Sequence, residues 1–530
     1  MIRLKNRLKL KDRVKGPPAS GLAAVGVFMM LCVYPYVMTK GYFNITKTRM
    51  YTFDFIAIFF FAACLIAYFA KTKTDILKPF KIRNLSDMYM YLFLLVAVFS
   101  CLASYNRLAS LSGANARKVG LLMMICFFLA YMFISRFYLF RKREIICFAI
   151  SFIAMTVFSG IQFSRFNPFG LYNGVKYSDT FRFIGFLGNV NVFSAYVCIG
   201  LGLFMALYFF TGHPAWFAVS VFSYLALFFA NSDGGYLGLG VCYAVLLIIA
   251  SRDAQHMARF WMLLVGFFLA GAILKVLGVA FQHDNMIGIN TFSRMASKPV
   301  VFVPGVILFS GLYVLFSRVN FPEKFFRIFH RICIIGEIAA VVLVFSAVLY
   351  FTKINPDFEL GKLKGYLRFN DKWGTSRGYV WKRLWRAYWD LPFVNKLIGT
   401  GEETIAHTLE SYLGKGVMGR ESGYNFDTAH CEPLQYLITN GFWGLFTYLG
   451  TFVGCVIKAL RSKDLYKKAL GISIIVFFSQ TLVNITQSIT TPFMFVLFGM
   501  AQAGLSIDQT GKLTSCTDNK PSFLLEGGQI

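Results

Sequence analysis

His430 is the residue of this 530-residue chain whose surroundings best suit proton-transfer chemistry. It stands shortly before Pro433, which suits the first turn of a helix, and an apolar run then begins. Because the positive end of a helix dipole disfavours imidazolium, we expect a neutral imidazole that can act as a general base. Asp427 is a candidate for orienting it, whereas Cys431 is not, since adjacent side chains diverge on a helix. The alternative is an ordinary capping or interfacial histidine.

Two arginines, Arg377 and Arg386, accompany a pattern of apolar side chains upstream of this histidine. The i, i+3, i+4, i+7 spacing of the pattern predicts a helix that lies in the membrane interface. Its aromatic rings would face the membrane, and its cations would lie at the level of the phosphate groups. An arginine there can grip a diphosphate on a lipid carrier, because its planar fork binds phosphate oxygens bidentately. The alternative is a simple lipid anchor. The apolar face consists of Trp381, Leu384, Trp385 and Tyr388.

A third candidate, Arg182, precedes the polar, glycine-containing start of another apolar run at residues 185–210. An arginine at the mouth of such a run is predicted to face a cavity, and the alternative is a snorkelling interface residue. Glu402 and Glu403 follow a Gly-Thr-Gly turn, and we expect both to be solvated rather than catalytic.

Composition shows which elements must position these side chains. The chain is 57% hydrophobic and only 15% charged, and its mean hydropathy is +0.59. These values exclude a soluble enzyme, a disordered chain and a small disulfide scaffold. We predict an all-α polytopic membrane protein with 12 to 14 spanning helices. The candidate spans are 20–38, 52–70, 87–105, 119–135, 145–163, 185–210, 214–230, 235–250, 260–282, 299–316, 332–350, 432–457, 468–484 and 488–507.

Basic residues predict the orientation of these spans. With the N-terminus in the cytoplasm, inward segments hold 29 Lys and Arg, and the first five outward loops hold 11. This bias places both termini inside and makes the net charge of +28 a topology device rather than a sign of nucleic-acid binding. The predicted organisation is a basic cytoplasmic tail 1–18, helices 1–11 over 19–350, a large extracytoplasmic loop 351–431, helices 12–14 over 432–507, and a cytoplasmic tail 508–530.

Metal and cofactor signals are weak. Most of the 11 cysteines lie in apolar runs, and no CxxC pair occurs. We therefore expect no disulfide framework, no metal site and no cofactor.

Three motifs resemble the O-antigen ligase and O-antigen polymerase superfamily of bacterial envelopes. The first is His430-Cys431, nine residues, and Gly441-Phe442-Trp443-Gly444, with Cys431 in a place where the family has Asn, Ser or Gln. The second is Ser376-Arg377-Gly378 before an aromatic helix. The third is Arg182 ahead of Gly188-Asn189-Val190-Asn191, with Val190 in the place of a proline. A Ser-Arg-Gly motif seen in the family appears here as Ser232-Asp233-Gly234, so one arginine is missing.

The resemblance implies glycan transfer in the bacterial cytoplasmic membrane without a metal. The donor would be an oligosaccharide on undecaprenyl diphosphate, and the acceptor a hydroxyl of a glycan or lipid at the outer face. Arg182 and Arg377 would hold the diphosphate, together with Arg386 from the helix pattern above, and His430 would deprotonate the acceptor, with inversion at the anomeric carbon. Membrane lipids are further partners. The alternatives are a protein O-oligosaccharyltransferase of the same superfamily and a polytopic anion or glycan transporter.

Overall fold

The computed structural model of the protein describes residues 18–71, 77–113, 117–282 and 286–505. Apart from Pro18, the two predicted tails, 1–18 and 508–530, lie outside these residues.

Nearly all regular structure in the described residues is helical, which confirms an all-α polytopic membrane protein. The strands among the described residues form one short parallel pair, Leu139–Phe140 with Gly504–Leu505. In the described part of the chain, ten helices are long and apolar enough to cross a membrane. Helices are the expected solution, because a bilayer offers no water to satisfy backbone polar groups. The ten are Pro18–Tyr36, Ile45–Lys71, Leu85–Leu102, Lys142–Phe163, Val190–Thr211, Asp233–Ala250, Ala254–Ala280, Pro299–Arg318, Glu323–Ile354 and Gly441–Leu460.

Four shorter helices occupy the remaining predicted spans: Leu121–Phe137, Pro214–Ala230, Leu465–Thr481 and Thr491–Gln502. The first of the ten long helices is a composite, because its α-helix ends at Phe28 and continues through a π turn and a 3-10 turn. Short helical segments lie between spans at Lys78–Phe80, Arg107–Ser112, Tyr177–Phe181 and Thr291–Ala296.

The helix Val190–Thr211 is the centre of the bundle. Every residue in its most apolar 18-residue stretch is buried. The helix packs against the helices Pro214–Ala230 and Leu465–Thr481. By contrast, the most apolar 18-residue stretch of Glu323–Ile354 contains no buried residue. Apolar side chains on such a helix face the hydrocarbon of the bilayer, so this helix lies at the periphery.

The two ends of Leu85–Leu102 carry different polar groups. At its start, buried Asp87 pairs with Arg136 at 2.9 Å, and Asn84 contacts Gln502. Just beyond its other end, the Ser110 hydroxyl donates to the carbonyl oxygen of Glu402 at 2.7 Å. The long loop, residues 351–431, therefore packs on one end of the bundle.

The long loop folds around a hydrophobic core of its own. The helix Trp373–Asp390 contributes buried Leu384 and Tyr388 to that core, which also includes Ile405 and Leu409. This corrects the predicted interfacial face, because only part of it remains outward: Trp385 is 51% exposed. The other elements of the loop are Gly361–Leu363, Lys364–Leu367, Phe393–Ile398, Ile405–Leu413 and Val417–Ser422.

The predicted span 432–457 is two helices rather than one. Glu432–Thr439 ends at Asn440, and Gly441–Leu460 starts with a residue in the left-handed region, at φ 69°. A Cβ on Gly441 would lie 2.4 Å from the carbonyl carbon of Leu397. The break therefore lets the helix Phe393–Ile398 of the long loop approach the backbone.

Candidate active site

His430 lies immediately before the helix Glu432–Thr439, as predicted, with Cys431 as the N-cap residue. Its backbone is left-handed at φ 51°, a conformation that costs energy for a residue with a side chain. The ring meets Phe426 edge to face, with centroids 6.1 Å apart. No hydrogen bond joins the imidazole to another described residue. The ring thus has one aromatic neighbour, and no hydrogen bond from a described residue engages its nitrogens.

The surroundings of His430 keep its imidazole uncharged. Burial is the main cause that lowers its pKa, to about 4, and the positive charges of Arg377 and Arg117 lower it further. Asp427 acts in the opposite direction with a smaller effect. A neutral ring at pH 7 has a nitrogen lone pair that can accept a proton.

Arg377 is held beside His430 by an unusual backbone. The three residues before it, Gly374, Thr375 and Ser376, are all left-handed, with φ between 58° and 67°. The regular helix begins only after them. Gly378 is required next, because a Cβ there would lie 2.0 Å from the carbonyl oxygen of Asn370. The Ser-Arg-Gly motif is therefore a turn that fixes one guanidinium at the start of a helix.

The guanidinium of Arg377 lacks a carboxylate partner in the described part of the chain. Its Nε is buried and makes no hydrogen bond there, whereas Arg117 and Arg182 each pair with an aspartate. Burial lowers its pKa, and the charges of Asp233 and Cys431 partly oppose that effect. An unpaired, partly buried guanidinium is costly, so this arrangement suits an anionic ligand.

Arg117 belongs to the same cluster and escaped the sequence reasoning. It binds Asp427 through Nη2 at 2.9 Å and Nε at 3.3 Å, both to Oδ1. Asp427 therefore accepts hydrogen bonds from Arg117 and makes none to the ring of His430. This corrects the prediction that Asp427 orients the imidazole. Arg117 lies in one of the predicted outward loops. That location is the one feature of the sequence that could have indicated a place for Arg117 near the site.

Neither of the other two predicted arginines is among the charges that shift the pKa of His430 or of Arg377. Arg182 forms an ion pair with Asp179 at 2.8 Å, and its carbonyl accepts a hydrogen bond from Tyr172. Arg386 is exposed and nine residues after Arg377, which corresponds to the opposite face of the same helix. The structure thus brings Arg377 and His430 together, while Arg182 and Arg386 remain predictions.

Glu402 and Glu403 are buried, which shows that the prediction of solvated side chains was wrong. Oε1 of Glu402 accepts hydrogen bonds from Thr439 and Asn440, at 3.3 and 3.2 Å. Burial, with a contribution from Glu403, raises the pKa of Glu402 to about 8. Glu403 accepts from the backbone of Val119 at 2.8 Å, and burial raises its pKa to about 7. These carboxyls join the long loop to the bundle behind the site.

The nine-residue spacing after His430-Cys431 has a geometric meaning. It is filled by the eight-residue helix Glu432–Thr439 and by Asn440. The motif then needs Gly441 for its left-handed backbone and Gly444 for close packing, because a Cβ on Gly444 would lie 2.2 Å from that of Asn440. The motif therefore sets the distance between the histidine and the next helix.

Within the described residues, no group of three or more His, Cys, Asp or Glu side chains could hold a metal ion. The cations and carboxyls of the site are instead divided into ion pairs, buried acids and the free guanidinium of Arg377.

A comparison with family models adds independent evidence. A model described as O-antigen ligase matches residues 286–449, a segment that contains Arg377, Arg386 and His430 but not Arg182 or Arg117. A comparison with curated proteins finds no match. The family match confirms the predicted resemblance to the O-antigen ligase and polymerase superfamily, and it supports, in general terms, a multi-pass membrane glycan transferase of the O-antigen ligase kind.

Proposed function

We propose that the protein transfers an oligosaccharide from undecaprenyl diphosphate to an acceptor hydroxyl at the outer face of the bacterial cytoplasmic membrane. Both termini lie in the cytoplasm in this proposal, following the bias of basic residues. The acceptor is a glycan or lipid hydroxyl. The observation that carries the proposal is an uncharged imidazole beside a guanidinium that has no carboxylate partner within the described residues.

Each group has one role. His430 takes the proton of the acceptor hydroxyl while the acceptor oxygen forms a bond to the anomeric carbon. The bond from that carbon to the diphosphate oxygen breaks on the opposite side, so the configuration inverts. The diphosphate leaves with the electron pair, and Arg377 stabilises its charge. Because the leaving group is already anionic and a cation is present, the proposed reaction needs no metal.

Donor binding strengthens the base. Arg377 lowers the pKa of His430 in the empty site. A bound diphosphate brings negative charges next to Arg377 and offsets that effect, so the pKa of His430 rises towards its ordinary value. The imidazole is then a better proton acceptor when the donor is in place than when the site is empty. This order of events limits unproductive reactions of the free enzyme.

A paired substitution tests the proposal. We expect His430→Ala to lower the rate of glycan transfer by about a hundredfold to ten-thousandfold, the usual contribution of a general base. His407→Ala is the matched control, because His407 lies in the same loop but stacks on Tyr105. The assay uses purified protein, a glycan on undecaprenyl diphosphate and an acceptor glycan, with and without EDTA.

Three results would contradict parts of the proposal. A wild-type rate in His430→Ala would remove the general base. Loss of transfer in EDTA would remove the metal-independent mechanism. Absence of transfer by the wild-type protein with every lipid or glycan acceptor, together with transfer to a protein acceptor, would favour the oligosaccharyltransferase alternative.

A further inference from the structure

A cavity of about 320 Å³ adjoins the candidate active site. It reaches Cys431, the residue directly after His430, and Cys431 also influences the pKa of Arg377. The cavity and the free guanidinium thus share a neighbour. The residues that line it are Phe369, Trp381, Lys382, Trp385, Cys431 and Leu434.

The helix that carries Arg377 also supplies two walls of the cavity. Trp381 and Trp385 follow Arg377 at i+4 and i+8, so all three lie along one side of the helix. A guanidinium at the start of a helix is thus followed by two indole rings over about 12 Å. This order of a cationic group followed by aromatic groups is complementary to an amphiphile with an anionic head and an apolar chain.

The chemistry of the lining favours a chain over a sugar. The indole N–H of Trp381 already donates to the carbonyl of Ala429 at 2.9 Å. The ammonium of Lys382 is occupied by Asp371 at 2.6 Å. The remaining surface consists of aromatic and aliphatic groups and the weakly polar thiol of Cys431, so a sugar placed there would bury hydroxyls with few partners. An apolar chain has no such cost.

We infer that this cavity holds the isoprenoid chain of the donor next to its diphosphate, and that Trp385 is its principal contact. The inference rests on the proposed function, because it takes the diphosphate to lie at Arg377. Charge complementarity fixes the direction: the diphosphate lies at the guanidinium, and the chain runs past Trp381 towards Trp385. Trp385 is 51% exposed, so it can cover a chain without being part of the folded core.

The test compares two donors that carry the same glycan diphosphate. One has the polyprenyl chain, and the other has an ethyl group in its place. We expect Trp385→Ala to raise KM for the polyprenyl donor about tenfold, which corresponds to part of an aromatic side chain's burial, and to leave kcat unchanged. The ethyl donor should not distinguish Trp385→Ala from the wild type, and Trp385→Phe should restore most of the affinity for the polyprenyl donor.

Trp389→Ala is the matched control, since Trp389 is 56% exposed on the same helix but does not line the cavity. It should leave both donors unaffected. Equal effects of Trp385→Ala on both donors would overturn the inference in favour of a glycan or structural role. No effect on either donor would also overturn it, leaving a bilayer lipid as the occupant. Both outcomes are separable from failure of the proposed function, which appears as a His430→Ala variant that retains activity.

Discussion

Replacing Arg377 by glutamine removes the positive charge that acts most strongly on His430, and it should change the site in two measurable ways. The pKa of His430 should rise, because Arg377 is the first of the two positive charges that lower it. Transfer of glycan should also slow, because the leaving diphosphate loses its cation. Glutamine keeps the length and polarity of the side chain closely enough for the helix to form.

The size of both effects can be bounded. Burial, the larger cause, remains in the variant, so the pKa of His430 should rise from about 4 but stay below its ordinary value of 6.5. At pH 5 the imidazole is then more often protonated in Arg377→Gln than in the wild type. For the rate, removing one preorganised donor from a charged transition state costs about a hundredfold to a thousandfold in kcat.

Diethylpyrocarbonate provides the assay, because it modifies a histidine only when the imidazole is neutral. The extent of modification of His430 is measured by mass spectrometry over a range of pH, and the midpoint gives the pKa. Arg386→Gln is the control for the pKa, since Arg386 is exposed on the opposite face of the helix and is not among the charges that shift the pKa of His430. A pKa of His430 that stays the same or falls in Arg377→Gln would refute the electrostatic reasoning.

Two further predictions concern the elements behind the site. Burial raises the pKa of Glu402 to about 8 from 4.5, so its contribution to stability is complete below about pH 4.5 and is lost as the pH rises through 8. Glu402→Gln should therefore flatten the fall in Tm between about pH 5 and pH 9 in thermal melts, and an unchanged fall would contradict this. Gly441→Ala should destabilise the protein by about 2 to 3 kcal/mol in the same assay, because φ is 69° and a backbone carbon blocks the new Cβ. Gly240→Ala, with nothing within 4 Å, is its control and should leave Tm unchanged or slightly higher.

Much of the fold could be predicted because the bilayer acts as a simple solvent. An apolar run of about 20 residues has few alternatives to a helix, and each of the fourteen predicted spans contains one. The predicted helix boundaries are wrong where the apolar run does not determine where the helix begins. The helix Glu323–Leu349 begins nine residues before its predicted start, because an amphipathic turn with charged residues continues the helix beyond the apolar run.

The site could be predicted only where residue type and local position carry the signal. His430 and Arg377 each lie next to the start of a helix. The sequence indicates these starts through Pro433 and Gly378, respectively. Arg117 gave no comparable signal, because its partner Asp427 is 310 residues away and only the packed structure joins them. Glu402 follows a turn motif that normally faces water. Its burial depends on hydrogen bonds from the Gly-Thr-Gly segment to the end of the helix Glu432–Thr439.

The ion pair between Arg117 and Asp427 links the first third of the chain to the end of the long loop. Arg117 lies outside the segment that matches the O-antigen ligase model, and Asp427 lies inside it. A chimera that grafts residues 286–449 onto a foreign bundle would therefore bring the histidine without one of the cations that tune it. During synthesis, too, the nascent chain must extend past Asp427 before these two charges can meet.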